Sequence, residues 1–310
     1  MAKSMKKMLL LAKAETVVGT DPIPTAAANA ILCRAFTPEP IVGDQVARDL
    51  IRPFKGNSGK QFVGEYRRFR FEVEIAGAGT AGDVPNWGVC LEACGFAKTV
   101  TVGTDVTYDP VSEGDPSLTM YGYLVGIRWI MTGAKGTVTF TLNAKGIPVM
   151  AFEFIGDYVD TTDTVIPGGV DYSGFQAPLA VSKRNTPTFT FHALAACTSA
   201  FSINWGAVLN YRNLINCAGA KSPDRTPTGS VTMELPSIAA KNWDQIILNG
   251  TTGAATLVHG ITAGNIVEFQ APNVQCGPYT LQDDQGIAMI NMPFDVNPDL
   301  GNDELSIIVR

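Results

Sequence analysis

Apolar and polar residues alternate with a period of two through most of this chain, which is the pattern of strands with one buried face. It is clearest over Glu65–Ile75. There Phe69, Phe71, Val73 and Ile75 fall on one side, and Arg68, Arg70, Glu72 and Glu74 on the other. Thr137, Thr139 and Thr141 alternate in the same way with Val138, Phe140 and Leu142, and AFEFIGDY closes that region. Ala28–Phe36 predicts a further strand, and Val100–Leu124 a strand-turn-strand unit marked by GTD, DP and EGDP turns. Later strands are predicted in PTFTFHAL, FSINWGAVLNY, VTMELPS, NIVEFQAP and IAMINMPF. Helical signals are few. Pro85–Cys94 predicts one short helix, with Asp83 as N-cap and Gly95 as the stop, and Asn242-Trp243 opens a second.

Order repeats along the chain. Phe71–Phe96 reads strand, glycine loop, helix, and Val231–Gly250 reads the same way, with Trp87 and Trp243 156 residues apart and Glu74 and Glu234 160 apart. A third pair of segments, around Phe140 and Phe269, lies 129 apart. The expectation is a mainly β protein of two tandem β-sandwich or barrel domains, each with one short helix, over about 1–165 and 166–310. A polar Gly/Pro-marked stretch at about 159–187 is the linker. Residues 1–27 predict an extended N-terminal arm kept from helix by Pro22 and Pro24, and 37–60 predicts a long loop.

Composition narrows the function. Charged residues are 17% of the 310, against roughly 25% in an ordinary domain, which points to surface buried against other copies. A net charge of −6 excludes a protein that grips nucleic acid by its phosphates. Met8–Ala12 is too short an apolar core for a signal peptide, and no window approaches a membrane span, so a soluble protein made in the cytoplasm is expected. The six cysteines are expected to be free thiols.

No constellation carries catalysis. Gly77-Ala-Gly79-Thr-Ala-Gly82 spells G-x-G-x-x-G, but the strand before it is half charged and no βαβ alternation follows. Cys90 and Cys94 have the spacing of two metal ligands without a second pair, and read as buried small residues. His192 shares a strand face with Thr188 and Thr190 and reads as a surface histidine. Ser4-Met-Lys-Lys7 lacks the supporting motifs of an S-x-x-K nucleophile, and Asp283-Asp284 is one acidic turn, not a calcium loop. No enzyme, cofactor or metal is expected.

The order LLLAKAETVVGTDPIPTAAANAI, RDLIRPFKG, FEVEIAGAGTAGDVPNWGVCLEACGF, DVTYDP, GAKGTVTFTLNAKGIPVMAFEFIGDY and GNDELSIIVR resembles the tail tube (major tail) proteins of long-tailed bacteriophages over nearly the whole chain. The resemblance implies a virion protein, assembled in the host cytoplasm, that forms rings through joined inner sheets. Those rings stack into a conduit for DNA and meet tape measure and tail completion proteins. DNA would pass without specific binding, and no membrane is involved. If each copy keeps its tube-forming strands, three chains supply six domains in a pseudo-sixfold ring; the alternative is a hexamer with the second domain outside.

The polar strand faces are then expected to line the lumen: Arg68, Arg70, Glu72, Glu74, Thr137, Thr139, Thr141, Thr232 and Glu234, with Glu268 if the phenylalanine register holds. Arg68 and Arg70 would pair with Glu72 and Glu74, two residues along. Arg48, Arg52 and Pro53 would contact the next ring. Other readings are solvated strand faces on the tube exterior, a capsid decoration or baseplate module, and a carbohydrate-binding β-sandwich.

Overall fold

The computed structural model describes residues 5–310. Its first half runs β1 (Met8–Ala14), α1 (Ala26–Asn29), β2 (Ala30–Ile31), β3 (Phe36–Ala47), β4 (Lys60–Glu74), α2 (Gly88–Glu92), β5 (Phe96–Thr101), β6 (Asp105–Pro110), β7 (Leu118–Leu124), β8 (Ile127–Asn143) and β9 (Val149–Thr162). After an irregular crossing the second half runs β10 (Thr188–Phe191), β11 (Thr198–Asn204), β12 (Asn210–Leu214), β13 (Cys217–Lys221), β14 (Thr228–Glu234), α3 (Trp243–Leu248), β15 (Thr252–His259), β16 (Val267–Cys276), β17 (Thr280–Asp284), β18 (Ile287–Val296) and β19 (Ser306–Val309). The described residues are mainly β, with three short helices.

Two sheet layers pack face to face. One has the order β3-β4-β9-β8-β11-β14-β18-β17, antiparallel throughout. The other has the order β5-β6-β19-β16-β15-β10. The first part of β8 leaves its layer to pair with β7, which continues to β1 and β2. Aromatic pairs hold the two layers together: Phe140 meets Phe269 edge-on at 5.1 Å, and Phe191 meets Phe294 at 5.3 Å. One buried cluster includes side chains from both halves.

The two halves repeat one arrangement within the first layer. In the ladders, Phe71 faces Phe36 and Phe152, and Val231 faces Phe201 and Met292. Thus β3, β4, β9 and β8 correspond to β11, β14, β18 and β17. The third pair of the sequence reading does not hold. Phe140 and Phe269 are on opposing layers and touch each other, and the counterpart of β8 is β17.

Several local expectations are corrected. Met8–Ala14 is no arm but a buried strand: Leu10 and Ala12 face the main core, while Leu9 and Leu11 face a smaller cluster with Tyr121, Tyr123 and Ile130. Burial on both faces removes the alternation that marks most strands. The stretch 15–25 is irregular, as its prolines require. Ala28–Phe36 is the end of α1, a two-residue strand and a turn. Residues 37–60 form most of a β hairpin whose end is 48–59, with bulges between Glu39 and Asp44. Pro38 and Pro40 disguise β3 in the sequence, and both are tolerated because β3 is an edge strand.

Helix α2 starts later than expected, at Gly88, without a side-chain cap from Asp83, whereas Asn242 Oδ1 does cap α3 by accepting from Gln245 N at 3.1 Å. Gly95, at φ +93°, ends the α2 turn as predicted. The glycine loop has a packing reason: a Cβ on Gly77 would lie 2.1 Å from the Gly264 carbonyl oxygen, so the two backbones need that glycine to approach.

Candidate functional site

The expected polar positions are brought together by the register of the first layer. Because facing residues in a ladder share a side of the sheet, Arg70, Glu153 and Thr137 lie in one row, and Glu72, Ala151, Thr139 and Asn204 in the next. Thr141, Ser202, Ser230 and Pro293 continue the face, as do Thr232 with Asn291. Nine of the ten named lining residues therefore stand on one side of one eight-stranded sheet, opposite the core. The tenth does not. Glu268 is on β16 in the other layer, buried and ion-paired to Arg310 at 2.6 Å.

Electrostatics differ along this face. Arg68 and Arg70 are held not by Glu72 and Glu74 but by residues across the ladder. Arg70 Nε donates to Glu153 at 2.9 Å, Arg68 lies 3.2 Å from the same carboxylate, and both arginines also pair with Glu39. Glu74 lies 3.9 Å from Arg34. Cross-strand neighbours are closer than residues two apart on one strand, which is why the ladder wins. The second half offers hydroxyls and amides instead. Ser202 and Ser230 hydroxyls are 2.9 Å apart, Asn291 Nδ2 donates to Thr232 Oγ1 at 3.0 Å, and Thr139 Oγ1 donates to Asn204 Oδ1 at 3.2 Å. Sequence reasoning missed Glu39 and Glu153. Glu153 was accessible from the AFEF alternation, but Glu39 was hidden by its flanking prolines.

The joint between the halves is closed on both layers. On the polar layer, β8 pairs β11 from Asn143↔Ala200 to Thr139↔Asn204, and Trp205 N extends the ladder by donating to Val138 O at 2.9 Å. Trp205 is fully buried, and its Nε1 donates to Cys94 O at 2.7 Å. Arg225 lies over that ring at 5.0 Å, donates to Val111 O at 2.6 Å and forms an ion pair with Glu304. The open cleft here, about 640 Å³, is thus lined by groups already engaged with each other. On the other layer β19 pairs with both β16 and β6. By contrast β3 and β17, the two ends of the polar sheet, each pair on one side only among the described residues.

Two hairpins rise from the same end of this sheet. The β12–β13 hairpin packs on the first half, Tyr211 stacking on Tyr66 at 4.9 Å and Asn213 lying against Gly64. The outer part of the β3–β4 hairpin is exposed, including Ile41, Val46 and Phe62, and at its end Ile51 and Phe54 beside Arg48, Arg52 and Pro53.

The remaining candidates find structural roles. Cys90 and Cys94 are buried, and burial pushes both thiols well above their ordinary range. His192 is buried, not on the surface. Its Nε2 is 3.3 Å from Cys276 Sγ, and burial and then Lys241 lower its pKa. No group of three or more metal-type side chains is placed to hold an ion among the described residues, and no helix there is long and apolar enough to cross a membrane.

No curated protein matches the sequence. The family model described as phage tail tube protein matches residues 6–296, and the chain belongs to that family of structural tail proteins.

Proposed function

We propose that the chain builds its tube from rings of three copies, in which the two halves act as two equivalent tube-forming domains. The shared polar face would line the bore through which DNA is ejected into the host. The observation that carries this is the β8–β11 junction. It joins two corresponding four-strand units edge to edge, and leaves β3 at one end and β17 at the other with open edges. Placing β17 of one copy beside β3 of the next repeats the junction, and three copies give six units. Arg52 and Pro53, at the hairpin end, would reach the next ring.

The lining suits passage rather than binding. Arg68 and Arg70 are neutralised by Glu39 and Glu153, Glu74 lies beside Arg34, and Glu72 and Glu234 add negative charge. A wall that captured phosphates by releasing counterions would brake DNA. Native mass of disassembled rings tests the count: three chains are expected, and six would overturn the reading. Replacing Glu72, Glu74 and Glu234 together by lysine is expected to leave tubes that eject DNA slowly, with a salt-dependent rate. Unchanged ejection, with these side chains outside the tube, would end the assignment of the bore.

A further inference from the structure

We infer that the outer β3–β4 hairpin of one copy docks on the second half of its neighbour in the same ring, as β12–β13 docks on the first half of its own chain. The inference rests on the three-copy ring, and it names a surface that such a ring leaves undetermined.

Its basis is the correspondence of strands. Between β3 and β4 the chain makes one long hairpin; between β11 and β14 it makes β12–β13, separated from those strands by irregular segments. The two are the same excursion. Counting onward from the matched residues Phe36 and Phe201, Arg48 corresponds to Asn213.

Within the chain, β12–β13 leans back over the preceding unit, against Gly64, Tyr66 and Asp157. Counting on past the ends of β14 and β18, where Val296 N still donates to Pro227 O, the equivalents of that landing surface in the second half are Asp224, Thr226 and Asn297. Carried around the ring, the Asn213–Gly64 contact becomes Arg48 on Asp224 of the neighbour. Opposite charges meet there, and Arg48 and Asp224 are both exposed in the single chain. The hairpin also has a reason to be covered. Val46 and Val63, which share one side of the hairpin, are 53% and 42% exposed, an apolar surface that a buried counterpart would explain. The occupant is a second copy, because only that copy's second half repeats the seat already filled within the chain.

The test uses the full chain with exposed Cys197 and Cys217 replaced by serine. Val46→Cys with Asn297→Cys is expected to yield covalently closed trimers when assembled rings are oxidised, while either change alone yields none. Three-copy rings without the cross-link would overturn the docking and leave the ring intact. Cross-linked ladders longer than three would place the hairpin between rings and overturn it too. Six-copy rings would instead remove the ring reading itself. In parallel, Arg48→Glu is expected to weaken ring assembly about two- to fivefold per contact, and Asp224→Lys to restore it. A loss that Asp224→Lys leaves unrepaired would overturn the pair.

Discussion

The two halves of the polar sheet share a strand order and differ in how they are finished. The first sets arginines against glutamates across the ladder, contains no histidine, and projects a hairpin whose outer part is exposed. The second lines its face with hydroxyls and amides, buries both histidines, and folds its hairpin down onto the first half. Where they meet, at β8–β11, backbone pairing is reinforced by a buried tryptophan; where the sheet ends, Pro38 and Pro40 stand on β3 instead. The positions that donate to β8 in the internal junction, Ile203 and Trp205, correspond to these two prolines, which have no N–H. An edge so blunted resists pairing with stray strands, yet its carbonyls can still accept from the right partner.

The largest effect should come from breaking the internal junction. Trp205→Ala is expected to cost about 3–5 kcal/mol and to let the halves unfold in separate steps, read by urea titration with probes in each. A single, unshifted transition would show that the joint lies elsewhere.

Acid should then separate the halves. Burial lowers the pKa of both His192 and His259, so the stability they contribute is present above the unfolded value near 6.5 and is lost as pH falls through their lower folded values. Hydrogen exchange at pH 7 and pH 5 is expected to show loosening around β10, β15 and β16 first, with β4 and β9 unaffected. Uniform loosening would contradict this.

Restoring donors to the blunt edge is a smaller change. Pro38→Val with Pro40→Thr is expected to strengthen ring closure by about 0.5–1.5 kcal/mol per recovered bond, visible as rings persisting at lower protein concentration. Weaker rings would mean that β3 is not the closing edge. The smallest contrast is at the helices: Asn242→Ala should cost about 1 kcal/mol, whereas Asp83→Ala should cost close to nothing, since only Asn242 caps a helix. Equal losses in thermal unfolding would refute that difference.

Alternation made the half-buried strands legible, and with them nearly the whole polar face. Two kinds of strand were not. Met8–Ala14 lacks alternation because both its faces are buried, and β3 carries prolines because only one of its edges is paired. Ion pairing was misread for a related reason: sequence places Glu72 nearest Arg70, but the register of the ladder sets Glu153 opposite it. His192 illustrates a third limit. Its neighbours alternate correctly, but the strand ends at Phe191, and the backbone then turns through φ +50° and takes the ring inward.

The position of β19 has a consequence for synthesis. It comes after every other described strand in sequence, yet it fills the slot between β16 and β6 in the outer layer. Until that segment leaves the ribosome, a nascent chain holds two facing strand edges with nothing between them, and the layer joining its halves stays open. Contacts between residues so far apart in sequence form slowly. Completion of that layer therefore waits for β19, and a chain lacking this segment carries the gap between β16 and β6.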